Sequence, residues 1–148
     1  MKKKEIKSVL ETLKSIKLHG EKDADFTKSL IKNHLFLLGE NKKLEGEIGD
    51  LDTVYLGAYK EDREKVANLQ QKLQKETDTE KRKNIIEEIE SYVDFLQAFA
   101  DFNKALGKLL DEEISIPNPL SSETFISYIK DDDLSLDVIE GLYPLLGD

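Results

Sequence analysis

The chain contains no cysteine. That excludes disulfides, thiolate zinc sites and a thiol nucleophile, and it fits a reducing compartment. No apolar run approaches the roughly 18 residues that would indicate a membrane span. Histidine is nearly absent. His19 and His34 are the two present, and neither belongs to a His-x-x-x-His or Glu-x-x-His pair, so both read as capping or packing residues rather than metal ligands. Basic residues are missing from the C-terminal end. Residues 111–148 hold ten acids against Lys130 alone, whereas residues 1–110 balance 21 Lys and Arg with 21 Asp and Glu. The net charge of −9 therefore sits entirely at that end. An acidic surface repels phosphate backbones, so direct nucleic-acid binding is not expected.

What is present is a helical rhythm. Ile85, Ile89, Tyr92, Leu96, Phe99, Leu106 and Leu110 step by four and three, with Asn103 at the one polar step. Leu44, Ile48, Leu51, Tyr55 and Ala58 form a matching run. Such spacing places side chains on one helix face, and two such helices joined by a short break pack antiparallel. The expected fold is all-α: a long, coiled-coil-like antiparallel helical hairpin carrying an N-terminal helix. A small acidic C-terminal helical segment follows a short extended stretch. At 148 residues the length suits one domain near the usual size of about 100–150 residues. Its expected parts are a three-helix core over 1–110 and an acidic segment over 111–148.

The first helix is expected from about Lys4 to Lys17, with Ile6, Val9, Leu10, Leu13 and Ile16 on one face and Leu18-His19-Gly20 as its stop. A second helix, capped by Asp23 or Asp25, opens with Phe26, Leu30, Ile31, Leu37 and Leu38 as its apolar face. It continues to about Leu73, with a kink or break between Gly39 and Gly49, since a helical glycine costs about 1 kcal/mol against alanine. Thr77-Asp78-Thr79-Glu80 matches a capping box, and a third helix follows from about Glu80 to Leu110. Beyond it, Ile114-Ser115-Ile116 alternates like an extended segment, and Pro117 and Pro119 exclude helix. Ser121 or Ser122 should cap a short helix through Phe125, Ile126 and Ile129. A last helix through Leu136, Ile139 and Leu142 should stop at Gly141 and Pro144.

Candidate sites are few. Asp131-Asp132-Asp133 fails as an EF-hand loop, because Leu136 and Leu142 stand where glycine and glutamate are needed; it reads as a solvated turn. Glu112-Glu113 reads as an exposed helix end. Gly46-Glu47-Ile48-Gly49 lacks the Lys-Ser/Thr of a phosphate loop. Asn103 has two open readings, a buried register-fixing amide or a solvent-facing one. Phe95, Phe102 and Leu109 recur every seven residues beside the main seam. That line is either covered by the first helix or presented to a partner, since monomers rarely leave large contiguous apolar patches exposed. No catalytic, cofactor-binding or metal-binding residues are assigned. The candidate partner-binding residues are Phe95, Phe102, Leu109, Asp131, Asp132 and Asp133.

The stretch Leu13-Lys14-Ser15-Ile16-Lys17-Leu18-His19-Gly20-Glu21-Lys22, with Leu109-Leu110-Asp111-Glu112-Glu113-Ile114-Ser115-Ile116, resembles a family of short, uncharacterised helical proteins. These are encoded by phages and prophages of low-GC Gram-positive bacteria. The resemblance covers an opening helix, a glycine turn, a long Lys/Glu-rich helix, a helix ending in acids and an acidic C-terminus. It implies a phage or prophage setting and no particular reaction. Together these readings lead to the expectation of a non-catalytic protein without cofactor, binding a protein partner or a second copy of itself. Met1-Lys2-Lys3-Lys4 opens like a signal peptide, but Glu5 and Lys7 occupy the place of the apolar segment. The expected location is the host cytoplasm, or the virion for a phage structural protein. The alternative is an acidic inhibitor that occupies a basic nucleic-acid-binding groove on a host defence or replication enzyme.

Overall fold

A computed structural model describes residues 1–16, 24–121, 123–124 and 135–147. The protein is all-α. Its described helices are α1 (Ile6–Ser15), α2 (Ala24–Leu56), α3 (Lys60–Lys75), α4 (Thr79–Glu90), α5 (Val93–Asp111) and α6 (Leu136–Leu142). Single 3₁₀ turns occupy Lys3–Glu5, Gly57–Tyr59 and Tyr143–Leu145. The chain divides into two compact units, one of Met1–Gly46 with Leu109–Asp148 and one of Glu47–Lys108. The Leu18-His19-Gly20 turn, His19 itself, the Phe125–Ile129 helix and Asp131-Asp132-Asp133 lie outside the described residues.

The first unit is built around α1, whose Ile6, Val9, Leu10 and Leu13 are all buried. Their spacing makes a single apolar face. α1 ends at Ser15, two residues short of expectation. Thr12 Oγ1 donates to the Ser8 carbonyl at 3.0 Å and Ser15 Oγ to the Thr12 carbonyl at 2.7 Å, local bonds of the kind that compete with helix continuation. α6 packs on α1. Gly141 does not stop α6; it lies inside it because the two helices nearly touch there. A Cβ added at Gly141 would come within 2.8 Å of Thr12 Cγ2 and 2.9 Å of Thr12 Cβ. Ser135 caps α6 by accepting the Val138 N–H at 3.4 Å.

α2 contributes Phe26, Leu30, Asn33, Leu37 and Leu44 to the interior of this unit. Asn33, completely buried, donates from Nδ2 to the Asn118 carbonyl at 2.7 Å. It thereby anchors the extended segment that Pro117 and Pro119 keep out of helix. Leu120 then meets the chain end: its N–H donates to the Leu145 carbonyl, and Gly147 N–H returns to the Leu120 carbonyl, both at 2.9 Å. Leu120, Leu142 and Leu145 are buried.

The N-terminal residues close the unit with a charged clasp. Lys3 N–H donates to the Glu112 carbonyl at 2.9 Å and Ile114 N–H to the Met1 carbonyl at 2.8 Å. Over this backbone pairing, Lys3 Nζ meets Glu112 at 2.6 Å, Lys4 and Lys2 meet Asp111 at 3.1 and 3.4 Å, and the Met1 amino group meets Glu113 at 3.0 Å. The hydrogen bond from Lys4, with the Lys2 and Lys4 charges, lowers the Asp111 carboxyl pKa below its ordinary 3.8. Glu112 and Glu113 are thus ion-paired partners of the N-terminal segment and more than an exposed helix end.

In the second unit the break in the long helix falls at Gly57–Tyr59, not between Gly39 and Gly49. α2 runs unbroken through Gly39, Gly46 and Gly49, none of which has another group within 4 Å of an added Cβ. Each is a tolerated local weakness in a helix secured by its buried face. Across the break, Arg63 Nη1 pairs with Asp52 at 2.8 Å.

α3 and α4 form a helical hairpin. Its connection is capped one residue later than the sequence pattern implies: Asp78, not Thr77, accepts the Lys81 N–H at 3.1 Å. Glu76 Oε1 accepts from the backbone of Thr77 and Asp78. Arg82 donates to the carbonyls of Leu73 and Glu76 at 2.6 and 2.8 Å, satisfying the end of α3 with a cation where the helix dipole is negative.

The expected third helix is two helices. It breaks at Ser91 and Tyr92, where Ser91 Oγ donates to the Glu88 carbonyl. The break shifts the phase of everything after it. Phe95 and Phe102, with Leu56 and Val66, form the buried core of this unit, while Leu51, Tyr55, Ile89, Leu96 and Leu106 pack around it half-buried. The regular stripe is therefore the rim of the core and not its centre. Phe99 is 38% exposed, although its ring still lies 5.9 Å from Phe95 and 6.3 Å from Phe102. Asn103 is exposed, which removes the register-fixing reading.

Candidate functional site

The candidate partner-binding line does not reach solvent. Phe95 and Phe102 are buried under Leu56, Val66 and their half-buried neighbours, so α2, the 3₁₀ turn and α3 supply the cover that had been expected from α1. Leu109 is buried in the first unit. Among the described residues, no group of three or more His, Asp or Glu is placed to hold a metal ion. None of their helices is long and apolar enough to cross a membrane.

A different surface stands out, on α2 in the first unit. Phe26, Leu30, Asn33 and Leu37 take the buried side of this helix. Ile31, Leu35 and Leu38 also keep helical spacing, but in another phase. They are 45, 63 and 42% exposed, which corrects the expectation that Ile31 and Leu38 share the buried face. Scattered exposed hydrophobics are ordinary. Three on consecutive turns of one helix make a continuous strip.

The strip opens into a cleft of about 200 Å³. α1 contributes Leu13, Ile16 follows it, and α2 supplies Leu30, Ile31, His34 and Leu35. Ile16 is positioned here because the chain leaves helical geometry at this residue, with φ −84° and ψ 128°, and its side chain is only half-buried. The lining is aliphatic apart from the His34 imidazole. An apolar cavity of about 150 Å³ is enough to hold benzene, so the cleft can accept one large apolar side chain or a ring. It offers orientation and desolvation to an apolar group beside the His34 imidazole.

Sequence reasoning missed this surface. The signal was available: Leu35 has no place on the Phe26–Leu30–Leu37 face, yet it joins Ile31 and Leu38 at four- and three-residue steps. Merging the two lines into one broad apolar arc concealed it.

No protein-family model matches the chain, and no curated protein or solved structure is significantly similar to it. The class that the structure defines is that of an all-α protein, with the short α1 and α6 packed together beside the long α2 in one unit and a helical hairpin in the other.

Proposed function

We propose that the protein is a non-catalytic helical docking protein that presents the outward face of α2 to another protein. The observation that carries this reading is the exposed Ile31–Leu35–Leu38 strip running into the Leu13–Ile16–His34 cleft. Helix-in-groove recognition uses this combination, with apolar anchors at helical spacing and one pocket for an inserted side chain. A phage or prophage accessory role is the setting in which we place it, on the resemblance of the Leu13–Lys22 and Leu109–Ile116 segments.

The alternative, an acidic inhibitor of a nucleic-acid-binding groove, draws less support. Three of its ten C-terminal acids, Asp111, Glu112 and Glu113, are already paired with the N-terminal residues, so that part of the charge is compensated within the molecule.

Leu35→Asp tests the docking reading. It places a charge in the strip at its most exposed residue, so circular dichroism and the unfolding midpoint should change little. Cross-linking in the native host should recover a specific complex with the wild type that the variant loses. The same complex recovered at equal yield with Leu35→Asp would overturn the reading.

A further inference from the structure

The face of α2 that carries the apolar strip has an unusual charge for this protein. Positions 28, 31, 32, 35, 38, 39 and 42 share it by helical spacing, and they comprise Lys28, Lys32 and Lys42, the three apolar residues and Gly39; no acid falls among them, and Asp25 and Glu45 border the face at its two ends. None of these three lysines has an ion-pair partner among the described residues. Lys43, one step round the helix, is by contrast held by Glu40 at 3.0 Å. Within residues 1–110, whose charges balance, three lysines with no ion-pair partner among the described residues, set around an apolar strip, make this face locally positive.

We propose, resting on the docking reading above, that this face receives an acidic amphipathic helix of a partner protein. Apolar side chains at helical spacing on the incoming helix lie along Ile31, Leu35 and Leu38, with one inserted between Leu13, Ile16 and His34. Asp or Glu residues flanking that apolar line meet Lys28, Lys32 and Lys42. The distance from Lys28 to Lys42 spans about 21 Å of helix, which sets the length of the matching segment at about four turns. Exposed lysine–carboxylate pairs add little affinity individually. Their effect is to select the sign of the partner and to speed encounter.

An anionic membrane shares the charge requirement but fits less well. A lipid surface has no side chain to place in a defined cleft.

The test uses the full chain and two labelled, end-capped amphipathic peptides of about five turns. Both carry leucines at helical spacing; one is flanked by glutamates and the other has lysine at each of those positions. Fluorescence anisotropy at low salt should show the glutamate peptide binding at least about tenfold more tightly than the lysine peptide, with the margin shrinking as salt screens the pairs. Leu35→Asp should abolish binding, and the Lys28→Glu, Lys32→Glu, Lys42→Glu triple variant should reverse the preference. Equal binding of the two peptides would overturn the charge assignment while leaving an apolar docking face intact. Binding of neither peptide would overturn the helical-partner inference, with the docking reading still judged separately by the Leu35→Asp cross-linking result. Capture by anionic phosphatidylserine vesicles in a Leu35-dependent manner, without peptide binding, would overturn it in favour of a membrane.

Discussion

The two units of this protein are closed by different means. Glu47–Lys108 is one contiguous stretch: α3 and α4 pair through a three-residue connection, α5 follows after a two-residue break, and the core brings Leu56 and Val66 against Phe95 and Phe102 within that stretch. The other unit is made from both ends of the chain, and its interior needs α1, α2, the 117–120 segment and α6 together. Local contacts are cheap in loop-closure entropy, whereas distant ones need an ordered chain before they contribute. The contiguous unit can thus rest on ring packing and helix capping. The discontinuous one adds an anchored amide, a close helix approach and a charged clasp.

The largest test of this contrast lies in the aromatic core. Phe102→Ala should destabilise the Glu47–Lys108 unit by about 3–5 kcal/mol, while Leu96→Ala at the half-buried rim should cost only about 1–2 kcal/mol. Urea unfolding followed by tyrosine fluorescence measures both. Equal costs would mean that the regular stripe, and not the Phe95–Phe102 line, is the energetic centre.

Next comes the α1–α6 approach. Gly141→Val should cost about 1–3 kcal/mol through collision with Thr12, and Thr12→Ala in the same chain should recover part of it. Hydrogen exchange should report the loss in α1 and α6. A neutral Gly141→Val would show that these helices can separate freely.

The glycines of α2 should respond with the opposite sign. Gly39→Ala and Gly46→Ala should each stabilise by about 0.5–1 kcal/mol, because the helix is continuous there and the new methyl meets nothing. Thermal unfolding tests this, and a destabilisation would place the helix break where sequence spacing had put it.

The clasp should give the smallest shift and one that depends on conditions. Asp111 has a lowered pKa in the folded chain. Its contribution is therefore present above the ordinary carboxylate pKa of 3.8 and is lost as pH falls through the lower folded value. Lys4→Met should flatten that acid limb of the stability profile, and added salt should mimic the variant at neutral pH. An unchanged acid limb would mean that Asp111 gains nothing from Lys4.

The same contrast explains which features could be read from residues alone. The face of α1, the helical character of the stretches that hold α2, α3 and α4, and the non-helical stretch at Pro117 and Pro119 follow from spacing and local sterics; the division of the long helix at Gly57–Tyr59 does not. The Ser91 break does not, because a serine and a tyrosine in a continuing apolar rhythm carry no stop signal. That one missed break moved the core from Leu96 and Phe99 to Phe95 and Phe102. The N-terminal clasp had a legible charge pattern, Lys2-Lys3-Lys4 against Asp111-Glu112-Glu113, but no local rule joins residues more than a hundred positions apart.

By itself, the sequence determined the all-α class, most of the helices and the apolar faces that needed burial, because helix geometry converts three- and four-residue spacing into a surface. Only the tertiary structure decided which apolar lines were covered. Phe95 and Phe102 were enclosed by residues of α2 and α3, and the Ile31–Leu35–Leu38 strip was left in solvent beside an open cleft. A helix can bury one side and expose another that is equally apolar. Which side is which depends on what the rest of the chain brings against it.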